Sequence, residues 1–143
     1  MKSGVLLINL GTPQAPSTRA VRDYLAEFLS DRRVVELPAW LWQPLLKLII
    51  LPIRARRSAK LYQSIWMDAG SPLAAYSQRL AEKVQANLPD NFRVVLAMRY
   101  GRPSIQAGLE ELLAAGVSSI TILPLYPQYS AATTASCFDK ISQ

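Results

Sequence analysis

The apolar positions fall into two rhythms. Val5-Leu6-Leu7-Ile8-Asn9-Leu10 is a short, mostly apolar run that predicts a buried strand. Phe92–Met98 predicts a second buried strand, and Ser118–Leu125, rich in β-branched residues, a third. Between them the spacing changes to that of helices. Val21, Tyr24, Leu25, Phe28 and Leu29 recur on one face after Thr18, a candidate N-cap. Gly70-Ser71-Pro72 starts another helix, with Ser71 as cap and Pro72 in the first helical position. Leu73, Tyr76, Leu80, Val84 and Leu88 form its apolar stripe. A further helix opens at Pro103, with Ile105, Leu109, Leu112 and Leu113 facing inward and Gly116 placed for a left-handed C-cap. Ser30–Pro38 reads as irregular. Ala39–Leu51 and Ala55–Trp66 read as two helical segments, and Ala131–Gln143 begins one more element.

Strands alternating with helical crossovers imply an α/β fold with a doubly wound parallel sheet, a flavodoxin/Rossmann-like three-layer sandwich. In such sheets ligands sit beyond the carboxyl ends of the strands. Three loops occupy that edge: Leu10–Pro13, Arg99–Gly101, and Tyr126–Ser130 with Thr133 and Thr134 behind it. They carry arginine, tyrosine, serine, threonine and glutamine. They hold no carboxylate pair, cysteine cluster or nucleophile beside a base. That set suits gripping a large, flat, anionic ligand better than hydrolysis. Gly11-Thr12-Pro13 lacks the glycine pattern of a dinucleotide site, and no Walker phosphate loop occurs.

Composition narrows this further. The chain has 143 residues, half of them hydrophobic and 18% charged, which suits one folded domain and excludes intrinsic disorder. It contains no histidine, the commonest general base and metal ligand. The single cysteine, Cys137, permits no intrachain disulfide and holds no iron–sulfur cluster alone. The net charge of +6 lies wholly in residues 1–60, which hold ten Lys/Arg against four Asp/Glu, densest at Arg54, Arg56, Arg57 and Lys60. The segment just before, Ala39–Ile53, is strongly apolar but too short and too interrupted by Pro44, Lys47 and Pro52 to span a membrane. It reads either as a buried helix or as an exposed lip beside basic residues, which would suit a membrane interface or an amphiphilic anion. No secretory signal is evident, so a cytoplasmic location is expected, with peripheral contact at the inner membrane face as a candidate. Nucleic acid is not an expected partner.

Several separated motifs, in order, resemble one family. They are Leu7-Ile8-Asn9-Leu10-Gly11-Thr12-Pro13; Phe28-Leu29-Ser30-Asp31-Arg32-Arg33-Val34-Val35-Glu36-Leu37-Pro38; Tyr62-Gln63-Ser64-Ile65-Trp66 leading to Gly70-Ser71-Pro72-Leu73; Met98-Arg99-Tyr100-Gly101; and Leu125-Tyr126-Pro127-Gln128-Tyr129-Ser130 with Thr133-Thr134. Together they resemble the N-terminal half of bacterial ferrochelatase. The resemblance implies a lyase that inserts ferrous iron into protoporphyrin IX, the last step of haem synthesis, between two similar doubly wound halves. Ferrous iron and protoporphyrin IX are then substrates, and no further cofactor is expected. It also implies that the histidine and glutamate of the reaction lie in a C-terminal half. Residues 1–143 are then an N-terminal half-domain, expected to be inactive alone and to self-associate through bare apolar surface. A short chelatase of the cobalt or sirohydrochlorin type, or a non-catalytic tetrapyrrole-binding module, is the alternative.

Site residues carried over on the resemblance form a porphyrin-binding wall: Leu10 on the first loop; Arg32, Arg33, Arg56 and Arg57 toward propionates; Tyr62 and Ser71 lining the pocket; Arg99 and Tyr100 assisting on its floor; Tyr126 and Tyr129 from the third loop. Phe28, Leu29 and Val34 match an apolar lip. No metal ligand is assigned in this half. Each has a plainer reading: Phe28 and Leu29 as core, Ser71 as a helix cap, Tyr126 and Tyr129 packed under their loop. Arg99, at a strand end, is expected to face outward, so that its replacement changes stability by less than about 1 kcal/mol.

Overall fold

The computed structural model describes residues Met1–Gln143. Three parallel strands, β1 (Ser3–Gly11), β2 (Phe92–Tyr100) and β3 (Ser119–Pro124), form one sheet in the order β2-β1-β3. Leu7 of β1 pairs with Leu96 on one side and Leu123 on the other. The helices are α1 (Thr18–Ser30), α2 (Ala39–Leu45), α3 (Leu51–Ile65), α4 (Pro72–Asn87), α5 (Ile105–Ala114) and α6 (Ser136–Ile141).

Residues 94–98 of β2 are buried without interruption because both sheet faces are covered. Leu7, Val94, Leu96 and Met98 pack with Ala81 of α4 on one face. Leu6, Ile8, Val95 and Ala97 pack with Ile105 and Leu112 of α5 and Cys137 of α6 on the other. Gly108 lets α5 lie close on the sheet, since a Cβ there would come within 2.8 Å of Leu6. A third cluster, at the carboxyl end of the sheet, joins Val21, Tyr24, Leu25 and Leu29 of α1 to Leu46, Leu51, Ala59 and Tyr100.

The layered parallel architecture matches the expectation from the sequence, with local differences. Ser17, not Thr18, caps α1, its hydroxyl accepting from Ala20 N–H. Ser104, not Pro103, sets the start of α5, accepting from Ala107 N–H. The α4 stripe is rotated. Ala75, Ser77 and Ala81 are buried, while Tyr76 and Leu80 are exposed, because small residues let the helix sit close to the sheet. On α5, Leu113 is likewise exposed and Gly108 takes the inward position.

The two segments read as separate helices form one nearly continuous rod. A single wider π turn, Leu46–Ile50, joins α2 to α3. Pro52 has no N–H for the regular ladder, and the wide turn absorbs the mismatch. Leu46 and Leu51 are buried in the core, with Trp42 and Ile50 packed beside them, whereas Trp40, Leu48 and Ile53 are 79%, 76% and 67% exposed. The segment is therefore an apolar lip rather than a buried helix. No helix is long and apolar enough to cross a membrane.

The outer edge of β2 is guarded by a side chain. Gln85 of α4 donates from Nε2 to Phe92 C=O and accepts Val94 N–H on Oε1, imitating a neighbouring strand.

Candidate functional site

The carboxyl ends of β1 and β2 meet under tight steric control. Gly11 has φ +112°, and a Cβ there would lie 1.9 Å from Tyr100 C=O, so no other residue fits without moving the strand. Tyr24 of α1 donates to Gly11 C=O at 3.2 Å. Glu27, one turn on, accepts Gly101 N–H at 2.9 Å. Helix α1 is thereby fastened to both strand ends. Trp42 Nε1 donates to Leu29 C=O at 2.7 Å, which ties the apolar lip to the end of α1.

The polar centre is built on Asp31, just after α1. Its Oδ2 accepts from Arg99 Nη2 at 2.7 Å, from Tyr100 Oη at 2.6 Å and from Ser136 Oγ. Its Oδ1 accepts Arg33 N–H at 2.7 Å. Arg99 Nε donates to the hydroxyl and carbonyl oxygens of Ser136 at 2.7 and 3.0 Å. The guanidinium also lies over the Tyr100 ring, 4.5 Å from its centroid. The Asp31 and Arg99 side chains are only 9% and 12% exposed. Burial alone would raise the Asp31 carboxyl. Hydrogen bonds from Ser136, Tyr100 and Arg33 N–H, with the Arg99 charge, more than offset this and hold it below the usual carboxylate range. Burial and the bond to Asp31 push the Tyr100 phenol up, so it remains a proton donor at neutral pH.

Arg99 is thus not the outward-facing side chain expected at a strand end. Three of its donor contacts are internal, because the loop after α1 and the start of α6 close over it. Its Nη1 has no protein partner and is not among the buried unpartnered atoms, so it keeps some contact with solvent.

A family model described as Ferrochelatase matches residues 2–143. Among curated proteins, the ferrochelatase of Edwardsiella ictaluri is 59% identical over 99% of this chain, that of Pectobacterium atrosepticum 57% and that of Vibrio atlanticus 56%. This chain belongs to the ferrochelatase family. It spans 44% of the length of each of those relatives, matching their N-terminal portion.

Within this chain, the residues read as a porphyrin wall are only partly brought together. Leu10, Phe28, Val34 and Tyr62 are half-buried around the cluster that contains Leu29 and Tyr100. Phe28 stacks on Tyr24 and meets Tyr100 edge-on at 5.1 Å. Leu29 is 6% exposed and belongs to the core, so it forms no part of a lip. The exposed apolar surface lies instead at Trp40–Ile53.

Arg32 is exposed, as are Arg56 and Arg57 on α3. Arg33 is engaged, its Nε and Nη2 gripping Asp139 of α6 at 2.7 and 3.1 Å. Ser71 is buried and its hydroxyl caps α4 by accepting Ala74 N–H, the plainer of its two readings. Tyr126 packs against the α5-side cluster with its hydroxyl buried and without a hydrogen-bond partner, and Tyr129 is 73% exposed.

Two members of the polar centre escape a reading of the sequence. Asp31 sits in the quoted motif, but beside Arg32 and Arg33 it looks like one charge of a solvated cluster. Ser136 lies in the C-terminal tail, 105 positions from Asp31, and its local spacing does not point to that contact.

A groove of about 510 Å³ runs along the free edge of β2 between α4 and α5, and none of the residues read as porphyrin-facing lines it.

Proposed function

We propose that this chain supplies the porphyrin-holding wall of a ferrochelatase, a lyase that inserts ferrous iron into protoporphyrin IX, and that it acts with a second half carrying the proton-accepting groups. The observation that carries the reading is the Asp31–Arg99–Tyr100–Ser136 network at the carboxyl ends of β1 and β2, within a chain of this family. It holds one guanidinium and one phenol rigid where a doubly wound sheet takes its ligand.

Metal insertion needs a held and bent macrocycle, a base for two pyrrole protons, and a path for a partly desolvated cation. This chain's residues serve the first need. Leu10 and Phe28 offer apolar contact to a ring face. Arg32, Arg56 and Arg57 are exposed cations for propionates at the rim. Rigid contacts at the rim offset the strain of bending the ring, which turns nitrogen lone pairs toward the metal. For the base, the available groups are unsuited. Asp31 is ionised but fully occupied as an acceptor, and the buried phenols of Tyr24, Tyr100 and Tyr126 are all pushed upward. Residues 1–143 alone are therefore inactive.

The length of the matched relatives favours a second half over the short chelatase reading. The apolar lip beside Arg54–Lys60 supports peripheral membrane contact at the inner face, where the amphiphilic substrate dissolves.

The test is an iron-insertion assay on residues 1–143 alone and on the same chain continuous with the remainder of its gene. Activity only in the longer protein supports the reading. Turnover by residues 1–143 alone, or none by either, contradicts it.

A further inference from the structure

We propose that Ser136 is a positioning residue for Arg99: with Asp31 it fixes the plane of the guanidinium so that Nη1 is presented to the ligand beyond the sheet. The inference rests on the porphyrin-wall reading above and adds to it a residue from α6 that no feature of the sequence marks.

An arginine side chain ends in five N–H donors on one rigid plane. Fixing that plane requires contacts at two of its nitrogens. Asp31 supplies one, accepting from Nη2. Ser136 supplies the other, accepting from Nε on both its hydroxyl and its carbonyl oxygen. The Ser136 hydroxyl closes the ring by donating to the same Asp31 oxygen that holds Nη2. Tyr100 supports the assembly from below, with its ring under the guanidinium and its hydroxyl on Asp31. Nε and one N–H of Nη2 are then engaged, and the donors left over are the two of Nη1 and the second on Nη2.

Ser136 itself is 0% exposed and cannot touch a ligand, so any effect it has on the reaction passes through its partners. Its own position is fixed from outside. Cys137, the next residue, is packed in the α5-side core. Asp139, three residues further along α6, is held by Arg33, two residues after Asp31, which ties α6 to the segment that follows α1. An arginine held in this way presents its free donors without losing side-chain freedom when ligand arrives, which is the benefit of preorganisation.

The test uses the full-length protein, protoporphyrin IX and ferrous iron, in a cycle of Ser136→Ala, Arg99→Leu and the double variant, with Ser136→Thr as the conservative control. Insertion rate per folded molecule and thermal midpoint are both measured. Ser136→Ala is expected to lower kcat at least tenfold, Ser136→Thr to restore most of it, and Ser136→Ala to add less than twofold in the Arg99→Leu background. Should Ser136→Ala fail to fold, Ser136→Cys, close in size but a weaker acceptor, takes its place with the same expectation. A lowered midpoint with unchanged kcat overturns the inference, as does an equal loss in both backgrounds. If the unsubstituted protein neither binds nor metallates porphyrin, the underlying reading fails too. If it does both and Ser136→Ala matches it, only this inference falls.

Discussion

Replacing Asp31 with alanine strips the acceptor from three donors at once. Arg99 Nη2, Tyr100 Oη and Ser136 Oγ all converge on its Oδ2. The pair it forms with Arg99 is shielded, with side chains 9% and 12% exposed. Removing one partner of a buried ion pair costs about 3–5 kcal/mol, because the other charge is left without compensation. Water can reach Arg99 from the open end of the sheet, so the lower part of that range applies, about 3 kcal/mol. In a chain of this size that corresponds to a fall in thermal midpoint of roughly 10 °C. Arg33→Ala is the matched control. Its pair with Asp139 is about half-exposed on both sides (45% and 47%), so solvent screens it and its loss should barely move the midpoint.

The pH dependence follows from the sign of the shift. The Asp31 carboxyl titrates lower in the folded chain than in the unfolded one. Its contribution is therefore complete above the unfolded value of about 4 and declines as pH falls below it. The gap between the unsubstituted chain and Asp31→Ala should be widest near neutrality and narrow below about pH 4. Circular dichroism melts of the three proteins at pH 7 and at several acidic values supply the data. A change of less than about 0.5 kcal/mol for Asp31→Ala, or an equal loss for Arg33→Ala, would refute the reasoning.

Two further predictions concern surfaces. Gln85→Ala frees Phe92 C=O and Val94 N–H at the edge of β2; denaturant titration should show a loss of about 1–2 kcal/mol, and no loss would mean that solvent replaces the amide fully. Trp40→Glu with Leu48→Glu should reduce self-association and vesicle binding measured by light scattering and sedimentation, while the melting midpoint stays within a few degrees, since both side chains are more than three-quarters exposed. Unchanged association would move the sticky surface elsewhere, the half-exposed Leu123 face of β3 being the next candidate.

The strands are legible in the sequence as apolar or β-branched runs; Val94–Met98 is buried as a run covered on both faces should be, whereas β3 at the sheet edge has no buried residue. Helix faces were harder. On α4 the large residues Tyr76 and Leu80 suggested the inner stripe, but Ala75, Ser77 and Ala81 make the contact, since close helix–sheet packing favours small side chains. The rod from Ala39 to Ile65 reads as two pieces in the sequence, since prolines ordinarily interrupt helices and a π turn that accommodates Pro52 leaves no mark in a hydrophobic pattern. At the site, the loops carrying Leu10 and Arg99 were found from topology alone. Asp31 and Ser136 were not, because their importance lies in a contact across 105 positions that no local spacing encodes. That contact is also why Arg99 was expected at the surface and is found under cover.

The central claim is that porphyrin meets the face formed by the carboxyl ends of β1 and β2. Amide chemical-shift perturbation by a soluble metalloporphyrin tests it most directly. The account predicts shifts centred on Leu10, Gly11, Arg99 and Tyr100, with weaker ones at the α1–α3 rim. Shifts confined to the groove along the edge of β2, at Gln85, Arg93 and Glu111, would contradict it.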